Sequence, residues 1–217
     1  MGVETERERG RCVAAFITFE GVDGAGKSTQ LQLLANRLQA AGYEVVTSRE
    51  PGGTPAGEAI RRLLLGREYE LGVTAEVLLM AAARAAHVEE VIRPALGRGA
   101  IVLLDRYTDS SLAYQGGASG AGVEAVVQVN EFATGGLWPD LTIVLDLPVA
   151  VAWGRLGKPL DRMESRGISY QERVRNAYLQ LATRWPARIT VVEAGGTPEA
   201  VAEAVAATVR QRLGLTF

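Results

Sequence analysis

Four residues near the start of the chain have the types and spacing of a phosphate-binding loop. They fill the pattern GxxxxGK[ST]: Gly21, Gly26, Lys27 and Ser28. Glycines allow positive φ, so backbone amides curl around an anion, and the following helix adds its free amides and dipole. Lys27 can reach the β- and γ-phosphates, and the Ser28 hydroxyl can bind Mg²⁺. The sequence therefore predicts a nucleoside triphosphate site that includes Gly24 and Thr29; an ordinary glycine-rich turn is the alternative.

An acidic residue follows a second apolar run. Asp105 ends the predicted strand Gly99–Leu104. Beside a phosphate loop, a carboxylate in this place holds Mg²⁺, usually through water, as in the Walker-B arrangement. Asp146, after the predicted strand Leu141–Leu145, is a second candidate, but its strand comes later in the chain. We therefore expect Asp105 and Ser28 to form the metal site.

Two arginines follow predicted strands. Arg49 comes after the strand Glu44–Ser48 and before a Pro-Gly-Gly turn, and Arg106 comes after Asp105. Ligands of open α/β sheets bind at the carboxyl ends of the strands, so both guanidinium groups are expected at one edge. They predict a second anionic ligand there, although the turn after Arg49 could also be a connection only.

One arginine lies on an apolar helix face. Within a predicted helix over 74–96, Arg84 shares a face with Met80 and His87 at spacings of three and four. Burying a guanidinium requires partners. Either Arg84 forms a salt bridge at the edge of the core, or it belongs to a pocket wall and hydrogen-bonds a planar ligand that rests against Met80. His87 is the only histidine, and we assign it no catalytic role.

Residues 149–175 carry an excess of basic side chains, loosened by glycines. A solvated helix–loop–helix would explain this pattern. However, the phosphate loop has Gly24 where a cation could stand, which leaves Lys27 as its only positive charge. Phosphoryl transfer needs more, and an arginine that swings in contributes a factor of about 10³ to 10⁵ in rate. We therefore expect a lid around 154–168 that supplies arginines.

The elements that must position these residues alternate along the chain. The predicted strands are Ala14–Phe19, Glu44–Ser48, Gly99–Leu104, Leu141–Leu145 and Arg188–Glu193, with helices between them. This alternation predicts an α/β fold, a five-stranded parallel sheet with helices on both faces. With 217 residues and no linker, we expect one domain over 12–217 after a flexible tail, 1–11.

Composition narrows the function classes. The chain has 23 basic and 25 acidic residues, which gives no electrostatic footprint for nucleic acid or a membrane surface. No apolar run approaches the length of a membrane span. One cysteine excludes an intrachain disulfide and favours a reducing, cytoplasmic setting. We therefore expect small-molecule ligands.

Taken together, the motifs resemble those of a known family, bacterial thymidylate kinase. The similar stretches are FEGVDGAGKSTQ (19–30), REPGGT (49–54), AARAAHVEEVIRPAL (82–96), DRYTDSSLAYQGG (105–117), PDLTIVLD (139–146) and LDRME (160–164). The resemblance implies a P-loop NTPase-like three-layer sandwich, a homodimer, and phosphorylation of dTMP to dTDP with MgATP. The phosphate loop alone would indicate only a nucleotide.

The resemblance also implies roles for single residues. Asp23 would meet the sugar 3′-hydroxyl of the acceptor, and Arg49 and Arg106 would bind its phosphate, for which guanidinium groups are suited. Arg84 would hydrogen-bond the thymine carbonyl. Two further side chains would lie near the base and the 2′ position: Tyr114 and Gln115. In the subclass with glycine at position 24, catalytic arginines come from the lid: Arg162 first, Arg155 second.

Two features depart from the family pattern. Met80 stands where similar sequences have a phenylalanine stacked on thymine, so we expect weaker base binding. The lid is slightly short, with Gly157 and Lys158 where arginines often lie. Two alternatives remain: a kinase for another nucleoside monophosphate or a deoxynucleoside, and a GTP-binding switch protein. The guanine-reading motif NKxD is absent from the sequence, which argues against the switch protein.

Overall fold

The computed structural model describes residues 13–156 and 166–217. The predicted tail, 1–11, lies outside this part of the chain, as do Arg162 and most of the expected lid.

A five-stranded parallel sheet forms the centre of the fold, with strand order β2-β3-β1-β4-β5. The strands are β1 (Ala15–Glu20), β2 (Val45–Arg49), β3 (Ile101–Asp105), β4 (Leu141–Asp146) and β5 (Ile189–Glu193). β1 pairs with β3 on one side and with β4 on the other. The predicted sheet is confirmed, and the carboxyl ends of all five strands meet at one edge.

Helices connect the strands. They are α1 (Lys27–Ala40), α2 (Pro55–Leu65), α3 (Val73–His87), α4 (Arg93–Gly97), α5 (Thr108–Ser111), α6 (Val123–Thr134), α7 (Val149–Gly154), α8 (Ile168–Arg184) and α9 (Pro198–Leu213). A π-helical segment, Val88–Ile92, joins α3 to α4, so the long predicted helix 74–96 is present. A second π-helical segment, Leu112–Ala118, continues α5.

Neighbouring residues of a strand point to opposite faces of the sheet, and apolar side chains pack into clusters on both faces. On β1, Ile17 and Phe19 belong to the larger core cluster, together with Leu34 of α1 and Val205 of α9. Phe16 belongs to a smaller cluster on the other side. This arrangement confirms the predicted layers. Among the described helices, none is long and apolar enough to cross a membrane.

Side-chain caps fix two helix starts. Thr54 and Thr197 each accept a hydrogen bond from a backbone amide three residues on, and a proline follows each of them. Both features stabilise the first helical turn, since the side chain satisfies a free amide and proline needs no partner there.

Candidate functional site

The phosphate loop leads from β1 into α1 as a tight turn. Gly24 and Gly26 have φ of 84° and 95°, a region that favours glycine. A Cβ at Gly24 would lie 2.2 Å from the backbone oxygen of Ala152, so the loop also packs closely against α7. The Lys27 ammonium donates to the backbone oxygens of Gly21 at 3.1 Å and Val22 at 2.9 Å. The Lys27 ammonium therefore lies against the backbone of its own loop.

Lys27 is buried, with 7% of its surface exposed. Burial and the charge of Arg106 lower its pKa to about 8, against the opposing influence of Asp105, Asp23 and Glu20. An anion bound in the loop would favour the charged ammonium, and binding would then be linked to proton uptake above that pH.

The residues expected to hold Mg²⁺ lie together. The Ser28 hydroxyl donates to Asp105 Oδ2 at 2.5 Å. Magnesium prefers oxygen ligands and is commonly held by one or two carboxylates together with substrate phosphates, so this pair fits the ion. The other candidate, Asp146, is engaged elsewhere, because Arg175 donates to both of its oxygens at 2.7 and 2.9 Å. The pairing of Asp146 with Arg175 favours Asp105.

A cavity of about 750 Å³ runs from this loop across the carboxyl ends of β1, β2 and β3. Most of the predicted site residues line it: Asp23, Gly24, Gly26, Lys27, Ser28, Thr29, Arg49, Met80, Asp105, Arg106, Tyr114, Gln115 and Arg155. Gly21, the first residue of the loop, is not among the residues that line the cavity, and its backbone oxygen accepts a hydrogen bond from Lys27. One cavity therefore has room for two ligands, one at the loop and one facing the arginines.

Arg106 is held by its backbone conformation and by several contacts. It has a φ of 73°, an uncommon conformation for a residue with a Cβ. Its Nη2 donates to Asp23 Oδ1 at 2.6 Å, and its guanidinium carbon lies 5.1 Å from the centre of the Tyr114 ring. Burial acts to raise the pKa of Asp23, but the charges of Arg106 and Lys27 outweigh it and lower that pKa. Asp23 is therefore an anion that occupies Arg106.

Arg49 differs in its exposure. Its side chain is 59% exposed, and Nη2 donates to Glu58 Oε1 of α2 at 3.2 Å. Arg49 and Asp105 face each other in the register of β2 and β3, so Arg49 lies at the same sheet edge as Arg106, and both line the cavity. A pair this exposed is weak, and the side chain can leave Glu58 for a ligand at little cost.

Arg84 lies behind the cavity wall, with 1% of its surface exposed. Its Nε donates to Glu50 Oε2 at 2.7 Å, and it also donates to Ser111 Oγ at 3.1 Å, to Tyr107 O at 3.0 Å and to Asn130 Oδ1. These contacts are those of the salt-bridge alternative, and Arg84 is not among the residues that line the cavity. Direct contact between Arg84 and a ligand stays a prediction.

The two residues expected near the base are held by different partners. The Tyr114 hydroxyl donates to Asp23 Oδ2 at 3.2 Å. Gln115 is buried, and its amide nitrogen donates to Glu76 Oε2 at 3.2 Å. Glu76 in turn accepts from Arg166, which precedes α8 and therefore lies at the base of the expected lid. This chain of contacts ties the cavity wall to the segment that follows residues 157–165.

Of the two lid arginines, the structure describes Arg155. It follows α7, is exposed and lines the cavity near the phosphate loop. Arg162 lies outside the described residues.

Sequence reasoning missed several polar residues of the site. They are Glu20, Glu50, Ser110, Ser111 and Tyr178, of which Glu50, Ser110 and Ser111 line the cavity. Glu20 and Glu50 each come at the end of a strand or directly after it, beside a residue that was identified. The positions that follow predicted strand ends would have indicated both, whereas only the fold brings Tyr178 of α8 into contact with Arg106.

Comparisons with known proteins agree on one family. A family model described as Thymidylate kinase matches residues 19–205. The thymidylate kinase of Pseudomonas putida strain GB-1 is 51% identical over 189 residues, 86% of this chain and 90% of that protein. The thymidylate kinase of Caulobacter vibrioides is 48% identical over 203 residues, 92% of this chain and 98% of that protein.

A solved structure is also similar. The crystal structure of thymidylate kinase from Ehrlichia chaffeensis superimposes with a TM-score of 0.75 at 32% identity, and the match covers 91% of this chain and 99% of that one. The similarity therefore extends over nearly the whole fold.

Proposed function

This chain belongs to the thymidylate kinase family, and from that premise we propose how its cavity phosphorylates dTMP to dTDP, a step of dTTP synthesis. The proposal is supported above all by one observation: the phosphate loop and the two strand-end arginines open on the same cavity. A triphosphate in the loop and a monophosphate at the arginines would face each other across it.

The reaction is a direct in-line transfer from ATP. An oxygen of the dTMP phosphate attacks the γ-phosphorus; a new P–O bond forms, and the bond to the bridging β,γ-oxygen breaks, so that ADP leaves with that electron pair. The acceptor phosphate has a second pKa of about 6 and is an anion at neutral pH, so no general base is required. Catalysis consists of positioning and charge stabilisation.

Lys27 binds the β- and γ-phosphates, and Arg106 and Arg49 offset the repulsion between the two ligands. To bind the acceptor, Arg106 exchanges Asp23 for a phosphate oxygen, and Asp23 becomes available to the sugar 3′-hydroxyl. Met80, Tyr114 and the amide of Gln115 enclose the nucleoside. Arg84 supports this wall through Ser111 and contributes to recognition of the base.

Ser28 and Asp105 would hold Mg²⁺ with the phosphates of ATP. Bound there, the ion would neutralise part of the negative charge of the phosphates. Arginines of the lid would add further positive charge near the transferred phosphoryl group. Arg155 is the lid arginine that the structure describes, and Arg162 is the one that the family resemblance favours.

We also propose that the protein acts as a homodimer in the cytoplasm. Phe132 of α6 is 93% exposed and Leu78 of α3 is 56% exposed, and these two helices pack against each other. A second copy would cover both apolar side chains. The cytoplasmic location is supported by the single cysteine.

A coupled assay of ADP release tests the proposed reaction. Activity with dTMP should exceed activity with dUMP, because the thymine methyl is worth about 1–3 kcal/mol in a pocket. CMP and a reaction without acceptor should give background rates. A preference for CMP or for an unphosphorylated deoxynucleoside would favour the kinase alternatives, and nucleotide hydrolysis independent of any acceptor would favour a switch protein.

A further inference from the structure

Glu20 is a buried carboxylate directly beneath the cavity, at the last position of β1. It is 0% exposed and precedes the first glycine of the phosphate loop. Burying a carboxylate is costly unless its oxygens accept hydrogen bonds. The transfer described above uses no group at this place, so the contacts of Glu20 indicate what it does.

Both carboxylate oxygens accept hydrogen bonds from the acceptor side of the site. Oε1 accepts from the Tyr107 amide at 2.8 Å. Oε2 accepts from the Ser110 hydroxyl at 2.6 Å and from the Tyr178 hydroxyl at 2.8 Å. The three partners belong to two distant parts of the chain, the segment around α5 and helix α8.

The two hydroxyls in turn contact Arg106. Nη1 of Arg106 donates to Ser110 Oγ at 3.2 Å and to the Tyr178 hydroxyl oxygen at 3.3 Å. A hydroxyl has one proton and two lone pairs. Because Ser110 and Tyr178 both give their protons to Glu20, they present lone pairs to the guanidinium. The orientation of each hydroxyl is therefore set by the carboxylate beneath it.

We propose that Glu20 is a positioning residue of the transfer reaction, which in its ionised form orients Ser110 and Tyr178 so that they hold Arg106 against the acceptor phosphate. The inference rests on the proposed function, since it assigns Arg106 to that phosphate. The hydrogen bonds of Glu20 lead to the acceptor end, although it is adjacent to the phosphate loop in sequence; on Lys27 it acts only through its charge, after Asp105 and Asp23.

The surroundings make this role sensitive to pH. Charged and titratable groups face Glu20 from several elements: Lys27 of α1, Arg106, Asp109 of α5 and Tyr178 of α8. Arg188 holds Asp109 through hydrogen bonds of 2.5 and 2.8 Å. Burial and the charge of Asp109 raise the pKa of Glu20 to about 7, against the opposing influence of Arg106 and the two hydroxyls.

The direction of the pH effect follows from the hydroxyl protons. Above the pKa, Glu20 is ionised and only accepts. Below it, Glu20 donates its own proton to Ser110 or Tyr178, and that hydroxyl turns its proton toward the other hydroxyl, 3.0 Å away. The proton then occupies a lone pair to which Arg106 donates. The KM for dTMP should therefore rise as the pH falls through 7. Titration of the dTMP phosphate itself affects every variant equally and cancels in a ratio.

The test is the KM for dTMP between pH 6 and 8.5 for the wild type and Glu20→Gln, at saturating MgATP. Glutamine has nearly the same shape but cannot ionise. At pH 8.5 we expect the KM of Glu20→Gln to be about ten times that of the wild type, which corresponds to the loss of one charged hydrogen bond. At pH 6 the two KM values should be nearly equal. The kcat and the KM for ATP should change by less than a factor of about three.

Two partner variants extend the test. Tyr178→Phe and Ser110→Ala should each raise the KM for dTMP. When Glu20→Gln is combined with either of them, the KM should rise little further, because the effects of substitutions in one hydrogen-bond network are not additive. If Glu20→Gln does not fold, the pH dependence of the wild type and of Tyr178→Phe carries the test. Glu203→Gln, an exposed carboxylate paired with Arg37, is the matched control and should leave both KM values unchanged.

A constant KM ratio across this pH range, or a loss in Glu20→Gln that falls equally on ATP and dTMP, would overturn the inference in favour of a purely structural carboxylate. Failure of the proposed function is a different result, since the wild type would then show no turnover with dTMP at all.

Discussion

At the donor end of the cavity, the groups that face the ligand come mainly from one short stretch of chain, residues 24–29, together with Asp105 and Arg155. At the acceptor end they come from β2, the residues after β3, helix α3 and the π-helical segment Leu112–Ala118. The donor loop shapes itself from glycine conformations and local hydrogen bonds. The acceptor end is held by contacts between residues far apart in sequence, such as Glu50 with Arg84 and Asp23 with Tyr114.

Because of this difference, substitutions at the two ends of the cavity should not affect activity and stability to the same degree. The Lys27 side chain can be removed without taking a hydrogen-bond partner from a distant element, because it donates to Gly21 and Val22 of its own loop. A buried side chain at the acceptor end is usually shared with the core, because a guanidinium or carboxylate inside the protein needs several partners. Substitutions at the two ends should therefore differ in what they damage.

The largest effect on activity is expected for Lys27→Ala. Loss of the loop cation should lower kcat/KM by a factor of about 10² to 10³ or more. The free energy of unfolding should be unchanged or higher, because a buried ammonium is costly to keep. Steady-state kinetics and urea unfolding measure the two quantities, and Arg98→Ala, an exposed arginine paired with Glu44, is the control. A marked loss of stability in Lys27→Ala would contradict the proposed difference between the two ends of the cavity.

The acceptor end should behave in the opposite way for Arg84→Ala. Removing Arg84 leaves the buried carboxylate of Glu50 without its guanidinium, and breaking such a pair costs about 3–5 kcal/mol of stability. The exposed pair of Arg37 with Glu203 provides the control, since Arg37→Ala should cost less than about 1 kcal/mol. Denaturant unfolding of both variants measures this contrast. Equal losses would mean that burial does not distinguish the two pairs.

The donor end should also depend on pH through Lys27, whose pKa in the free protein is about 8. Bound polyphosphate favours the charged ammonium and raises this pKa. Below pH 8 the lysine is charged with or without ligand, and affinity for ATP should be nearly constant in this respect. Above pH 8 binding requires proton uptake, so Kd should rise by up to about tenfold per pH unit. Calorimetric titration from pH 7 to 9.5 measures this slope, and Lys27→Met should abolish it.

The smallest effect is expected at the base end, for Met80→Phe. An aromatic ring against the base should add about 0.5–1.5 kcal/mol of binding. The KM for dTMP should fall accordingly, and the KM for ATP should stay the same. A higher KM for dTMP would mean that the wall is shaped around methionine and has no room for a ring.

The sequence predicted more of the donor end than of the acceptor end, for the same physical reason. The sheet, its five strands and the phosphate loop follow from local patterns, because apolar runs and glycine spacing act over a few residues. The ends of most strands and helices differ from the prediction by one or two positions. Helix α7 was not predicted as a separate element, because it lies within a segment that was interpreted by its charge.

At the acceptor end, sequence identified the cations but not their partners. Arg84 stood out as a guanidinium on an apolar face, yet its contacts with Glu50, Tyr107 and Asn130 depend on the packing of four separate segments. Tyr178 was missed because no short-range pattern connects it to the site, and Glu20, although it ends a strand, gives no sign in the sequence of the residues that it contacts. Residues that act through long-range hydrogen bonds become visible only when the fold brings them together.

A crystal structure with dTMP, Mg²⁺ and a non-hydrolysable ATP analogue tests the central claim most directly. We predict the acceptor phosphate within hydrogen-bond distance of Arg49 and Arg106, in line with the γ-phosphate at Lys27, and Asp23 released from Arg106. An acceptor phosphate far from both arginines, with Arg106 still paired to Asp23, would contradict the assignment of this end of the cavity.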